Sequence, residues 1–221
     1  RGNAIVCSIA PDGDAAVLAG GHAADVVLWK SNLAGYWSSS SYYGLYPSWA
    51  AEMNKQVQGK ARKWLPLFRT SEYNNFGEKA PSAFSYSFDG KRNIISYKTT
   101  ACINDEVNEM AFAFLENSDI GKDKVLDCLA LTYYAGNYEG APMSHRPIEV
   151  QDIYARLDRN LADLLDFVDK RTDNPVNTLW VTQKTYDAFK TNGADLDDLA
   201  LVSYGIFYLA PEPRDDFYLC T

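Results

Sequence analysis

Residues 125–182 read as strand, helix, strand, and that order limits the fold more than any other feature of the chain. Val125 to Tyr133 (VLDCLALTY) is an apolar run of strand length, and Asn177 to Thr182 is a second one. Between them, Ile148 to Lys170 repeats at helical spacing. Ile153, Leu157, Leu161, Leu164, Leu165 and Val168 fall on one face, while Arg156, Asp158, Arg159, Asp163 and Asp166 face water or cap neighbours. Two strands joined by such a helix run parallel, through a right-handed crossover. The expectation is an α/β fold, a mainly parallel sheet flanked by helices.

The remaining segments fit that class. Asn3 to Ala10 (NAIVCSIA) reads as a buried strand, and Pro11-Asp12-Gly13-Asp14 is turn chemistry. Two further β-type runs, Ala15 to Leu18 and Val26 to Trp29, flank Gly20-Gly21-His22. Trp37 to Tyr46 is a Ser- and Tyr-rich loop that packs aromatics, and Pro47 opens a helix, PSWAAEMNKQV. Another helix begins near Asn104, with acidic residues in its first turn and Val107, Met110, Ala111 and Phe114 on its apolar face, and closes near Gly121. From Gln58 to Thr99 aromatics are scattered among polar residues without a period. The chain is expected to form a single domain over 1–221, with 58–99 as an aromatic-rich insertion or cap.

Composition removes several function classes. The chain has 221 residues, 47% of them hydrophobic, enough for a sizeable core. A net charge of −8 disfavours a nucleic-acid partner, because phosphate backbones are held by clustered Lys and Arg. No apolar run is long enough to span a bilayer, and RGNAIVCSIA lacks the features of a signal peptide. Cys7, Cys102, Cys128 and Cys220 show no CxxC spacing and read as structural thiols. No GxxxxGK[ST] or GxGxxG phosphate loop is present. Asp195-Asp197-Asp198 and Asp215-Asp216 lack calcium-loop spacing and read as solvated turns. The chain has two histidines, so a histidine-rich metal site cannot form. His145 reads as a solvent-exposed loop residue.

In parallel sheets, ligands gather at the carboxyl ends of the strands, here the loops after Tyr133 and Thr182. The first holds Gly136-Asn137-Tyr138-Glu139-Gly140-Ala141, then six residues, then IEVQDIYARLD from Ile148 to Asp158; the second holds Thr182-Gln183-Lys184-Thr185-Tyr186. Nearer the start, Ala19-Gly20-Gly21-His22-Ala23-Ala24-Asp25-Val26-Val27-Leu28-Trp29 precedes Trp37-Ser38-Ser39-Ser40-Ser41-Tyr42-Tyr43. Together these resemble the alkaline phosphatase superfamily, in particular the bacterial, Bacteroidetes-type members of its type I phosphodiesterase and nucleotide pyrophosphatase branch. The resemblance runs from about Asn3 to Thr185.

In that family the first loop reads close to T-D-Y-V-G-H and the second T-A-D-H-G, each supplying an Asp and a His to a zinc ion. The resemblance therefore places Asn137, Ala141, Lys184 and Thr185 at four metal-ligand positions. A methyl group and an ammonium offer zinc no lone pair, and a neutral amide does not balance its charge. The expectation is a degenerate centre with no metal and no cofactor, although zinc serves the family. Lys184 either substitutes its charge for a metal and binds a small anion, or reaches solvent at a strand end. The phosphatase-type relatives hold substrate phosphate with a Lys-x-Arg pair where this chain has Asp12-Gly13-Asp14. His22 belongs to the structural signature and is expected to be a satisfied, partly buried side chain. The family's N-terminal portion, with its Thr or Ser nucleophile and first central strand, has no counterpart here. A missing segment, a partner chain or a homo-oligomer is implied, and a periplasmic or extracytoplasmic location rests on the resemblance alone. The expected function is a catalytically inactive scaffold for binding or assembly; the alternative is part of a metal-dependent phosphoric ester hydrolase whose missing ligands come from another segment or chain.

Overall fold

The computed structural model describes residues 4–57, 62–74, 83–88, 93–123, 125–142, 145–171, 178–181 and 204–209. Its centre is a six-stranded sheet in the order β3-β2-β1-β6-β8-β7. The strands are β1 (Val6–Ala10), β2 (Val26–Lys30), β3 (Trp37–Ser38), β6 (Cys128–Tyr134), β7 (Thr178–Val181) and β8 (Tyr204–Leu209). Every neighbouring pair is parallel except β2 and β3. The α/β class with a mainly parallel sheet is thus present. The two strands expected on either side of the long helix appear as β6 and β7 and run parallel, but β8 stands between them, so the crossover lands one position further away than a direct pair.

Alternation along the strands sorts the core into two faces. Cys7 and Ile9 of β1, Leu28 of β2 and Leu129, Leu131 and Tyr133 of β6 share one cluster with Ala50, Met110, Phe114, Leu157, Leu164 and Val168. These come from α2 (Ser48–Val57), α4 (Cys102–Glu116) and α5 (Pro147–Arg171), which cover that face. Ala10 and Val27 point the other way and meet Ala16 and Ala24. Ala16 belongs to α1 (Gly13–Gly20).

The α1 helix corrects the β-type reading of Ala15 to Leu18. A four-residue apolar run has no period that separates strand from helix. Small residues decide it here: Ala16 and Gly20 are buried, and a Cβ on Gly20 would stand 2.8 Å from Val27 Cγ2 and 3.2 Å from Ser8 Cβ. The helix lies on the sheet at a separation only such side chains permit. Likewise β6 begins at Cys128, leaving Val125 and Leu126 exposed ahead of it.

Between α2 and α4, β4 (Arg62–Trp64) and β5 (Tyr86–Phe88) pair as a separate antiparallel ribbon, followed by the short α3 (Ile94–Tyr97). Trp64, Tyr73, Phe84, Phe88 and Tyr97 form a second core with Cys102, Ile103, Tyr138, Ile148 and Ile153. Two buried carboxylates tie this segment to the helices. Asp152 of α5, fully buried, accepts from Trp64 Nε1 (2.6 Å), Leu67 N (2.6 Å), the Tyr73 hydroxyl (2.6 Å) and Arg156 Nε (2.8 Å). Glu106 of α4 accepts from Lys30 Nζ (2.6 Å), Trp37 Nε1 (3.1 Å) and the Tyr97 hydroxyl (2.6 Å), and forms an ion pair with Arg62 Nε (3.1 Å). A buried charge with such partners is compensated; with fewer it is a large cost. Among the described residues no helix is long and apolar enough to cross a membrane.

Candidate functional site

The loop at the carboxyl end of β6 is shaped from beneath by α4. Asn104 grips the last strand residue at both ends, donating from Nδ2 to Tyr134 O (2.8 Å) and accepting from Tyr134 N at Oδ1 (2.7 Å). The Tyr134 hydroxyl reaches forward to Asn137 O (2.8 Å) and arches over Gly136, where a Cβ would lie 2.8 Å from it. Glycine is what lets the chain pass under that ring. Tyr138–Gly140 then makes a single 3₁₀ turn closed by Gly140 N to Asn137 O (2.9 Å) and Ala141 N to Tyr138 O (3.1 Å).

Within this turn Glu139 adopts φ 51° and ψ 26°, a left-handed conformation that costs a non-glycine residue about 1 kcal/mol. Its N–H donates to Thr99 Oγ1 (3.0 Å), and its carboxylate receives Arg146 Nη1 (3.1 Å). The Ser96 hydroxyl first, and then Arg146, favour the charged form and hold the Glu139 carboxyl below its ordinary value. Arg146 lies over the Tyr138 ring, 4.6 Å from its centroid. Tyr138 itself is buried against Trp64 (5.2 Å) and Tyr86 (4.6 Å), and burial pushes its phenol up, followed by the Glu139 charge. The Tyr86 hydroxyl donates to Glu149 Oε1 (2.8 Å) in the first turn of α5. The aromatic segment is therefore bonded directly to the loop.

Asn137 and Ala141 stand at the two ends of this turn, both half-buried; Asn137 makes no capping hydrogen bond through its side chain. Lys184 and Thr185 lie outside the described residues. His145 is exposed, as its loop setting predicts. His22 is exposed rather than partly buried, because Gly21 at φ 60° turns the chain outward after α1; its Nδ1 lies 3.3 Å from the Tyr42 hydroxyl.

The end of β1 holds a residue that sequence reasoning did not single out. Lys98, buried, donates from Nζ to Asp12 Oδ1 (2.8 Å). The acidic stretch after β1 is thereby answered by a cation 86 positions away, which no local pattern in the segment SYKTT announces. A zinc ion is not suited to the described part of this region. Asn137 offers one neutral side-chain oxygen and Ala141 none, the nearby Glu139 is paired with Arg146, and among the described residues no group of three or more His, Cys, Asp or Glu side chains could hold a metal.

Comparison with known proteins bears on the fold. The chain is 28% identical to alkaline phosphatase PafA of Elizabethkingia meningoseptica over 71% of its own length and 32% of that protein. It is 28% identical to a calcium-transporting ATPase of Myroides odoratus, covering 75% of this chain and 34% of the relative, and 27% identical to alkaline phosphatase PhoV of Synechococcus elongatus, covering 75% and 33%. The crystal structure of wild-type PafA superposes with a TM-score of 0.64 over 77% of this chain and 36% of that one, at 24% identity. A PafA variant with four substitutions gives 0.64 over 76% and 36%, at 25% identity. The fold is alkaline phosphatase-like.

The sequence matches support a relationship to the alkaline phosphatase superfamily. No protein-family profile matches the chain. It spans about a third of the length of these relatives.

Proposed function

We propose that this chain is the scaffold portion of an alkaline phosphatase-like protein, of the type I phosphodiesterase and nucleotide pyrophosphatase branch, that has given up zinc-dependent hydrolysis for binding or assembly. The observation that carries this is the turn after β6. It keeps a defined path through Asn104, Tyr134 and Gly136, yet presents Asn137 and Ala141 where the family resemblance calls for an anionic oxygen and an imidazole. A scaffold preserved around an emptied donor set fits selection for shape rather than for metal chemistry. Lys184 and Thr185 extend the same substitution to the second loop, with Lys184 a candidate to hold a small anion. A periplasmic or extracytoplasmic setting belongs to the same reading.

The second reading has its own support: the relatives include enzymes named as phosphatases, and the chain spans about a third of them. In that case further ligands and a nucleophile come from another segment, and the product is a working phosphoric ester hydrolase. Zinc content by elemental mass spectrometry, after equilibration with zinc and removal of excess, separates the two. Near-zero zinc, with no hydrolysis of p-nitrophenyl phosphate or its diester, is the expected result. One or two tightly held ions per chain overturns the scaffold reading.

A further inference from the structure

We propose that the outer face of α1, together with the 3₁₀ turn at Ser41–Tyr43, is an assembly surface, and that the portion of an alkaline phosphatase-like polypeptide lying outside these residues packs on it. This deepens the assembly role proposed above and rests on the chain being one portion of such a protein. The α1 sequence, GDAAVLAG, has Asp14 as its one charged side chain and is apolar beyond it. A helix that is apolar all round is one that is covered all round. Here the sheet covers Ala16 and Gly20, while Val17 is 42% and Leu18 83% exposed. Tyr42, 63% exposed, extends the surface past the end of the helix; its hydroxyl donates to His22 O (3.4 Å) and its ring stands 6.1 Å from the imidazole. Tyr43 holds the turn in place by donating to Gly21 O (3.1 Å).

Charge marks this surface as an interface. Charged residues make up 23% of the chain, yet Ala15 to Ala24 and Leu33 to Ala51 contain no Asp, Glu, Lys or Arg. The two segments that build the surface thus lack the side chains that suit a face to water, and depletion of charge with retention of Tyr is the composition of an interface core. The occupant follows from coverage. The fold superposes on about a third of PafA, so most of that larger fold lies outside the matched region. An apolar surface left bare by one portion of a larger fold is where the other portion sits. A second copy of this chain fits less well, because each copy carries a net charge of −8 and the two repel.

Two measurements test the proposal. Leu18 and Tyr42 are each more than half exposed, so the L18K/Y42K variant is expected to keep the thermal midpoint of the wild type while its fluorescence with bis-ANS, a dye for apolar surface, falls two-fold or more. Unchanged fluorescence, or a lowered midpoint that shows these side chains already packed within the chain, overturns it. For the occupant, benzoylphenylalanine replaces Leu18 and, separately, Tyr42; the cells that make the protein are irradiated and the cross-linked peptides sequenced by mass spectrometry. Peptides from outside residues 1–221 that match the part of PafA beyond the superposed region are expected, on the same polypeptide or on another. Cross-links to a second copy of residues 1–221, to polypeptides without that match, or to nothing at either position overturn the proposal. Neither readout involves zinc, so its failure leaves the metal question where it stands, and a zinc centre would refute the scaffold reading without touching this surface.

Discussion

At the scale of single residues, Asp152 is a stability determinant outside the aliphatic core. Four donors meet in its carboxylate, and a fully buried acceptor cannot exchange them for water. Asp152→Asn keeps the shape but turns a donor group toward other donors and leaves Arg156 without its charge partner. A loss of about 3 kcal/mol is expected, the scale of breaking a buried pair from one side. Urea denaturation checks it, and an unmoved midpoint would contradict the account. The neighbouring Tyr73 phenol, pushed up to about 12 by burial first and by Asp152 next, should remain protonated throughout such work. Glu139 makes a pH prediction. Its folded value is lowered from 4.5, so its contribution is complete above that range and is lost as pH falls through the lowered value. The stability gap between wild type and E139Q should therefore narrow on acidification below about 4.5, and a gap that widens would show the sign to be wrong. Little of this was legible beforehand. The motif positions located the loop, but Lys98 on Asp12 and Thr99 on Glu139 join residues whose meeting depends on the whole fold.

At the scale of elements, the helices with sustained periodicity could be read from sequence and the short pieces could not. The α5 pattern extends over six turns, long enough for packing to follow periodicity, and the helix occupies 147–171 against an expected 148–170. The α1 segment, GDAAVLAG, has no comparable stripe, and its placement follows from what its small residues allow rather than from what they favour. Gly20→Ala tests this. The added methyl meets the β-branched Val27 side chain at Cγ2, 2.8 Å away, where the helix packs on the sheet, and overpacking of that kind costs about 1–3 kcal/mol. Gly21→Ala, by contrast, meets no atom within 4 Å but loses a positive φ that glycine tolerates, so its cost is conformational alone. Val27→Ala should relieve the first and leave the second unchanged in a denaturation series. Identical responses would mean that steric contact is not the cause. The ribbon β4–β5 was read only as irregular aromatic sequence, because three-residue strands carry too little alternation to register.

At the scale of the whole molecule, the two cores meet at Glu106, which accepts from Trp37 of one and Tyr97 of the other. Cys7 lies in the sheet cluster and Cys102 in the aromatic one, and burial raises both thiols, Cys102 to about 11. Thiolate is the reactive form, so both should resist alkylation near neutral pH in the folded state. With urea, mass-spectrometric labelling of the two cysteines is expected to rise at the same midpoint. Labelling of Cys102 well before Cys7 would mean that the aromatic segment opens on its own. The placement of β1 also has a consequence for synthesis of the chain. Its second edge pairs with β6, Val6 against Cys128, and Ile5 N is closed by Asp127 at a separation of 122 residues. On a ribosome adding about 5–20 residues per second, the strand that becomes central spends roughly 6–24 seconds with that side unfilled. During this interval the nascent chain presents an open β-edge to every other polypeptide nearby, and a holding chaperone or slow translation after β2 would govern its yield more than the stability of the finished fold.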